Sequence, residues 1–157
     1  MLKGAVPESR TGGNMNNKNS VQMEVLLDVL YKDGKIKLPV QGKSMEPFLK
    51  EGRDYVFLSV PDGQYKKGDI VVYRCNDTFV MHRIAEKTET GFSIIGDNQL
   101  QADYEVPKER IVAVINEVLR DGKRITKNQI VWKFYSEIYS NLGVRKIFLE
   151  LHKIRKA

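Results

Sequence analysis

The chain has 157 residues, a net charge of +6 at pH 7 and one cysteine, Cys75. Its length suits one domain whose core needs no disulfide, and a lone thiol excludes an internal disulfide or a multi-cysteine metal site. The spacing of His82 and His152 matches no zinc pattern, and no run approaches the ~20 apolar residues of a membrane-spanning helix. No apolar secretory signal follows the first methionine. We therefore expect a cytoplasmic protein that uses no metal or other cofactor.

Positive charge is concentrated at the C-terminal end. Residues 120–157 contain ten Lys/Arg and three Asp/Glu, a net of +7, whereas the rest of the chain carries −1. Such a segment favours anionic lipid, an acidic peptide or nucleic acid as a partner, and the alternative is a solvated helix face.

The N-terminal part predicts a polar leader followed by one helix. Residues 1–19 are rich in Gly, Asn, Ser and Lys, so they bury too little apolar surface to offset the entropy of ordering and are expected to be disordered. Apolar residues then recur at helical spacing over 21–30, with Ser20 as the N-cap and Asp33-Gly34 as the stop. This pattern predicts a short amphipathic helix.

Residues 35–119 alternate short β-like runs with turn sequences such as Pro61-Asp62-Gly63 and Asn76-Asp77. This rhythm is typical of a mainly β, antiparallel fold, either a barrel or two packed sheets. The predicted strands are 36–40, 55–60, 69–74, 79–84, 91–95 and 111–118.

Helical character returns after residue 128. Apolar residues form a stripe over 128–156 with basic residues beside it, and Asn141-Leu142-Gly143 interrupts the stripe at a kink or at the start of a second helix. We therefore divide the chain into a disordered leader (1–19), a β domain with its N-terminal helix (20–119) and a basic amphipathic helical tail (120–157).

The segment Gln41-Gly42-Lys43-Ser44-Met45-Glu46-Pro47 places a serine in a tight turn. Gly42 can adopt backbone angles that other residues avoid, and Pro47 restricts how the chain continues. Such a turn would expose the Ser44 hydroxyl and aim a backbone amide at a developing oxyanion. The structural alternative is that Ser44 caps a short helix while Met45 lies in the core.

Met81-His82-Arg83-Ile84 supplies a candidate general base. Strand alternation places His82 on the face opposite Met81 and Arg83, and its ordinary pKa near neutrality suits proton transfer from a serine hydroxyl. The alternative is a packed histidine with a satisfied hydrogen bond.

Gly96-Asp97-Asn98 and Asp103 offer carboxylates just after a predicted strand. In a catalytic triad the acid fixes the imidazole tautomer and stabilises the imidazolium. The alternative for Gly-Asp-Asn is an ordinary turn.

Cys75 is the competing nucleophile. Arg74 is its only adjacent cation, and no helix N-terminus is predicted beside it. We therefore expect a structural thiol.

Taken in order, four segments resemble the serine peptidase superfamily that contains signal peptidases and the self-cleaving repressors of the SOS type: 42–47, 67–73, 81–84 and 96–98. The resemblance covers roughly residues 38–118. It implies that Ser44 is the nucleophile and that His82 stands where other branches use lysine, as in the endoplasmic-reticulum and archaeal type of signal peptidase. It also implies that Asp103 orients the base, with Asp97 as the alternative.

Three features depart from that branch. The chain has a polar leader and one amphipathic helix where membrane-bound members have an anchor, Gly42 replaces a serine that can donate to the oxyanion, and Ala102 replaces the first of two paired aspartates. We expect the Ser44 amide to carry more of the oxyanion stabilisation, since losing one donor costs ~10²–10³ in rate. The predicted substrate- and oxyanion-binding residues are Gly42, Lys43, Met45 and Pro47.

The predicted function is a serine endopeptidase that cleaves a leader or signal-like peptide through an acyl-enzyme. The alternative is a low-turnover regulatory or peptide-binding protein that retains the cleft. The expected partner is a peptide or precursor protein, and residues 128–156 add a candidate contact with the anionic inner face of the membrane. No helix-turn-helix precedes residue 38, so direct nucleic-acid binding is not expected.

Overall fold

The computed structural model describes residues 15–156, with side chains described over 20–103 and 105–155. The described part is a mainly antiparallel β fold with one N-terminal and two C-terminal helices, which confirms the predicted fold class. Its elements are α1 (Met15–Asp33), β1 (Lys35–Pro39), β2 (Asp54–Ser59), β3 (Ile70–Cys75), β4 (Thr78–Lys87), β5 (Phe92–Ile95), β6 (Asp103–Val106), a 3₁₀ turn (Lys108–Arg110), β7 (Ile111–Arg120), β8 (Lys123–Thr126), α2 (Ile130–Ser140) and α3 (Leu142–Lys156).

The strands form one sheet in the order β1-β2-β7-β3-β4-β5-β6, and β8 pairs with β7. The long strand β7 pairs with β2 through residues 114–120 and with β3 through residues 111–115, so it joins the two halves of the sheet. Register shifts occur in the β2–β7, β3–β7, β4–β5 and β5–β6 pairs. Such bulges increase the local twist of a sheet, which helps one sheet to cover two cores.

The two larger cores lie on opposite faces of β3 and β4, and a third, small cluster lies between α2 and α3. Side chains of successive strand residues point to opposite faces, and accordingly Val72 packs in the first core while Val71 and Tyr73 pack in the second. On β4, Met81 packs against the first core and Ile84 in the second. The alternation therefore places His82 on the face of the second core, as the sequence predicts.

The N-terminal helix begins earlier than predicted. It starts at Met15, five residues before the predicted N-cap Ser20, and residues 1–14 of the predicted leader lie outside the described residues. A helix satisfies its backbone hydrogen bonds internally, so polar residues can extend it while Leu27 and Leu30 anchor it in the first core. The predicted stop is confirmed: Gly34 has φ +84° and donates its N–H to the Leu30 carbonyl at 2.7 Å.

Two short strands, β6 and β8, and the packing of the C-terminal helices differ from the prediction. Both strands are four residues long and polar enough to lack a clear period-2 pattern, and their pairing with β5 and β7 creates them. Residues 123–126 are therefore strand, not part of a helical tail.

The C-terminal helix α2 is packed into the domain, because its Trp132 is buried in the first core. None of the helices within residues 15–156 is both long and apolar enough to cross a membrane.

Candidate functional site

Ser44 lies in the turn between β1 and β2, and this turn is anchored from below. Met45, Phe48 and Leu49 are buried in the first core, and the Leu49 amide donates to the Met45 carbonyl at 2.9 Å. Gly42 has φ +79°, which a residue without a Cβ adopts at little cost. Packing thus fixes the turn while Ser44 itself stays half-buried at its surface.

The loop of residues 96–99, named here the Gly96 loop, runs against the carbonyl side of Ser44. The Asn98 amide donates to the Ser44 carbonyl at 2.9 Å, and the Asn98 side chain donates to the Lys43 carbonyl at 3.2 Å. A Cβ on Gly96 would lie 2.7 Å from the Ser44 carbonyl oxygen, so only glycine fits there. Within the described part of the chain, the Ser44 amide and hydroxyl have no hydrogen-bond partner.

His82 faces a tyrosine that sequence reasoning did not identify. Its Nδ1 lies 3.5 Å from the Tyr73 hydroxyl, and that hydroxyl donates to Asp103 Oδ2 at 2.5 Å. Because the Tyr73 proton points to Asp103, the Tyr73 oxygen is the acceptor toward Nδ1. We therefore assign the proton of the neutral imidazole to Nδ1, which leaves Nε2 as the proton acceptor.

His82 is held in its neutral form. Burial lowers its pKa to about 4, the Asp103 carboxylate opposes that change, and the positive charge of Arg145 adds to it. Burial also raises the pKa of Tyr73, with the Asp103 carboxylate as the next cause, so the hydroxyl keeps its proton. At neutral pH the arrangement is an unprotonated base backed by a neutral phenol and a carboxylate.

Asp97 has a different environment. Its two carboxylate oxygens accept from Nε and Nη2 of Arg83, each at 2.8 Å, and both side chains are fully buried. Arg83 Nη1 also donates to the Gly68 carbonyl at 3.0 Å and to Ser136 Oγ at 2.9 Å. Asp97 thus lies with Arg83 on the face of β4 opposite His82. The geometry therefore favours Asp103 as the acid on the His82 face.

Ser44 and His82 are brought to neighbouring elements. Arg83, the next residue after His82, pairs with Ile95 of β5, and the chain then enters the Gly96 loop that contacts Ser44. No hydrogen bond joins Ser44 to His82 among the described residues. Such catalytic hydrogen bonds are often long before substrate binds and tighten in the reactive complex.

The remaining predicted residues divide by exposure. Gly42 and Lys43 are exposed beside Ser44, whereas Pro47 is half-buried and Met45 is buried in the core. Burial, followed by the nearby Asp103 carboxylate, raises the pKa of the Cys75 thiol, which disfavours the thiolate that a nucleophile requires.

Tyr73 could have been found from the sequence, whereas Arg145 could not. The two-residue turn Asn76-Asp77 pairs Cys75 with Thr78, and counting back places Tyr73 opposite Val80, diagonal to His82. Arg145 of α3 donates to the carbonyls of Gly96 and Gln99, and no local pattern predicts that contact.

Comparison with known proteins assigns the chain to a family. No curated protein matches it. The family model described as Peptidase S24-like matches residues 11–119, which is more than half of the chain and includes Ser44, His82, Tyr73 and Asp103. The match ends before α2 and α3. Together with the β fold, it confirms the predicted superfamily and shows that this chain belongs to the Peptidase S24-like family.

Proposed function

We propose that this protein is a serine endopeptidase in which Ser44 is the nucleophile and His82 is its general base. One observation carries the proposal: Ser44 presents an unpartnered amide and hydroxyl, within the described residues, on a turn held beside the strand pair that carries a buried neutral histidine. Membership of a peptidase-like family, which also includes repressor-type relatives, supports this class of chemistry.

In the proposed reaction, Ser44 Oγ attacks the scissile carbonyl while its proton passes to His82 Nε2. The Ser44 amide donates to the oxyanion, and the C–N bond then breaks as His82 returns the proton to the leaving amine. His82 next deprotonates a water molecule that hydrolyses the ester and restores the Ser44 hydroxyl. Tyr73 and Asp103 hold the Nδ1 proton and stabilise the imidazolium that forms twice in this cycle.

The substrate class proposed is a leader or signal-like segment of a precursor, bound in an extended conformation with small residues near the cut. This follows from the superfamily resemblance, and the exposed Gly42 and Lys43 beside Ser44 support it as the residues that a bound peptide would meet first. Comparing the peptides of cells that carry the wild-type protein or its Ser44→Ala variant would identify the substrate as the precursor that accumulates only with the variant.

The direct test is labelling of the pure protein by a fluorophosphonate, which reacts with activated serine hydroxyls. We expect wild type to be labelled at Ser44 and Ser44→Ala to be unlabelled. His82→Gln should be labelled more slowly than wild type by a factor of ~10³ at least. Ser59→Ala, a serine on β2, is the matched control and should label like wild type. Equal labelling of wild type and His82→Gln would contradict the proposal.

The second candidate is a low-turnover regulatory or peptide-binding protein. The absence of a hydrogen bond between Ser44 and His82 among the described residues favours it to that extent. Tight peptide binding by a wild-type protein that fluorophosphonate never labels would select this candidate over the peptidase.

We also propose that α3 contacts an anionic membrane surface. Val144, Ile147, Leu151 and Ile154, named here the α3 stripe, recur at spacings of three and four and are all exposed. Lys146, Lys153 and Arg155 are exposed on the same helix, against Glu150 as its only acidic residue. An exposed apolar stripe with basic neighbours fits an interface that offers both acyl chains and negative headgroups.

Co-sedimentation with vesicles tests this contact. We expect the wild-type protein to sediment with phosphatidylserine-containing vesicles, and Ile147→Asp/Leu151→Asp to remain in the supernatant. Leu100→Asp, which changes an exposed leucine outside the helices, is the control. Equal sedimentation of the stripe variant, or self-association that the stripe variant abolishes without any vesicle binding by wild type, would overturn the proposal.

A further inference from the structure

Arg145 of α3 joins the last turn of α2 to the Gly96 loop, which lies more than 40 positions earlier in the chain. Its Nε donates to the Tyr139 carbonyl at 3.1 Å, and its two terminal nitrogens donate to the carbonyls of Gln99 and Gly96. The residue is 1% exposed. All three acceptors are backbone carbonyl oxygens, so the guanidinium binds the main chain and not particular side chains. Its planar set of donors can reach all three carbonyls at once, which the compact ammonium of a lysine does less well.

The corner between α2 and α3 sets the position of Arg145. Asn141 Oδ1 accepts from the amides of Gly143 and Val144, each at 3.1 Å, and so caps the start of α3. The Arg145 amide donates to the Asn141 carbonyl at 2.9 Å. Tyr139 belongs to the last turn of α2, whose carbonyls lack partners within the helix. The Arg145 side chain therefore supplies a donor to a carbonyl at the C-terminal end of α2. The cap at Asn141 fixes the first turn of α3, from which that side chain extends.

The other end of the contact is the Gly96 loop. Arg145 binds the carbonyls at both ends of this loop, and between them the Asn98 amide donates to the Ser44 carbonyl. We infer that Arg145 is a positioning residue for Ser44, through which the C-terminal helices hold the loop that orients the nucleophile. The inference rests on the proposed function for its catalytic meaning. It assigns a role in the site to helices that lie beyond the family match.

The charge of Arg145 gives the test a second readout. Burial is the main cause of the low pKa of His82, the Asp103 carboxylate opposes it, and the positive charge of Arg145 adds to it. Loss of that charge is therefore expected to raise the pKa of His82.

The test compares Arg145→Met and Arg145→Lys with Lys146→Met, the exposed neighbour on the same helix. In Arg145→Met we expect about tenfold faster hydrogen exchange at the Asn98 amide and about tenfold slower fluorophosphonate labelling of Ser44, since each reflects a lost hydrogen-bonded constraint. The NMR titration of His82 should shift to higher pH. Arg145→Lys should fall between Arg145→Met and wild type, and Lys146→Met should match wild type.

Unchanged Asn98 exchange and unchanged labelling in Arg145→Met would overturn the inference. If that variant does not fold, Arg145→Lys decides on the same readouts, and wild-type exchange at Asn98 would again overturn it. A wild-type protein that is never labelled at Ser44 would contradict the peptidase proposal, whereas the Asn98 exchange and the His82 titration would still report on the contact.

Discussion

His82 and Arg83 are neighbours in the sequence, yet β4 sends them to opposite faces with opposite consequences. Arg83 lies in a fully buried ion pair with Asp97, and its remaining donors reach Gly68 and Ser136. His82 has one described polar contact, to Tyr73 at 3.5 Å, and the carboxylate behind that tyrosine belongs to an exposed residue, Asp103.

The difference shows how one strand separates stability from reactivity. A buried charge persists only when a partner replaces the water it has lost, and Asp97 does this for Arg83 through two hydrogen bonds. Among the residues whose side chains are described, none places an anion in direct contact with His82, so burial removes its charge instead. The face of β4 that carries Arg83 is therefore expected to tolerate few substitutions. The opposite face carries His82, a base that can gain and lose a proton.

The largest effect, on the free energy of unfolding, is expected when the buried Arg83–Asp97 ion pair is broken. Asp97→Asn should lower the free energy of unfolding by about 3–5 kcal/mol, because it leaves the Arg83 guanidinium buried without its counter-charge. Urea denaturation at pH 7.5 measures this. Asp103→Asn is the matched control on the His82 face and should cost less than about 1 kcal/mol, since Asp103 is exposed. Equal losses in the two variants would abolish the contrast.

The second prediction concerns pH. The folded-state pKa of His82 is lowered to about 4 from its ordinary 6.5, so the unfolded chain binds the proton first as the pH falls. His82 should therefore reduce stability progressively between pH 6.5 and 4, by at most about 3 kcal/mol, with no effect above this window. Urea denaturation across this range should give a shallower pH dependence for His82→Gln than for wild type. Parallel curves for the two proteins would refute the low pKa.

The smallest effect is expected for Tyr73→Phe. It removes the acceptor for the Nδ1 proton, and because the contact is long we expect fluorophosphonate labelling of Ser44 to slow only about five- to tenfold, the equivalent of about 1 kcal/mol. Nitrogen-15 NMR of His82 should show a smaller share of the Nδ1–H tautomer. An unchanged tautomer ratio together with an unchanged labelling rate would exclude Tyr73 from the proposed site.

Local patterns were enough to locate much of this arrangement. Period-2 alternation separated His82 from Arg83, and the Asn76-Asp77 turn contains the register that places Tyr73 beside His82. The short strands β6 and β8 were missed because their partners, not their own residues, make them strands. The early start of α1 was missed because its first residues are polar and hold their helix through the backbone.

By itself, the sequence determined the mainly β fold, the family, and the order of a serine turn, a histidine strand and two acidic residues, since turns and alternation act over a few residues. Only the tertiary structure separated the two acids, because a carboxylate's environment depends on which face of the sheet meets it. It also brought Arg145 from α3 to the loop behind Ser44, a contact between residues 49 positions apart. No local period encodes that distance, because chain closure over such a span depends on the packing of the whole domain.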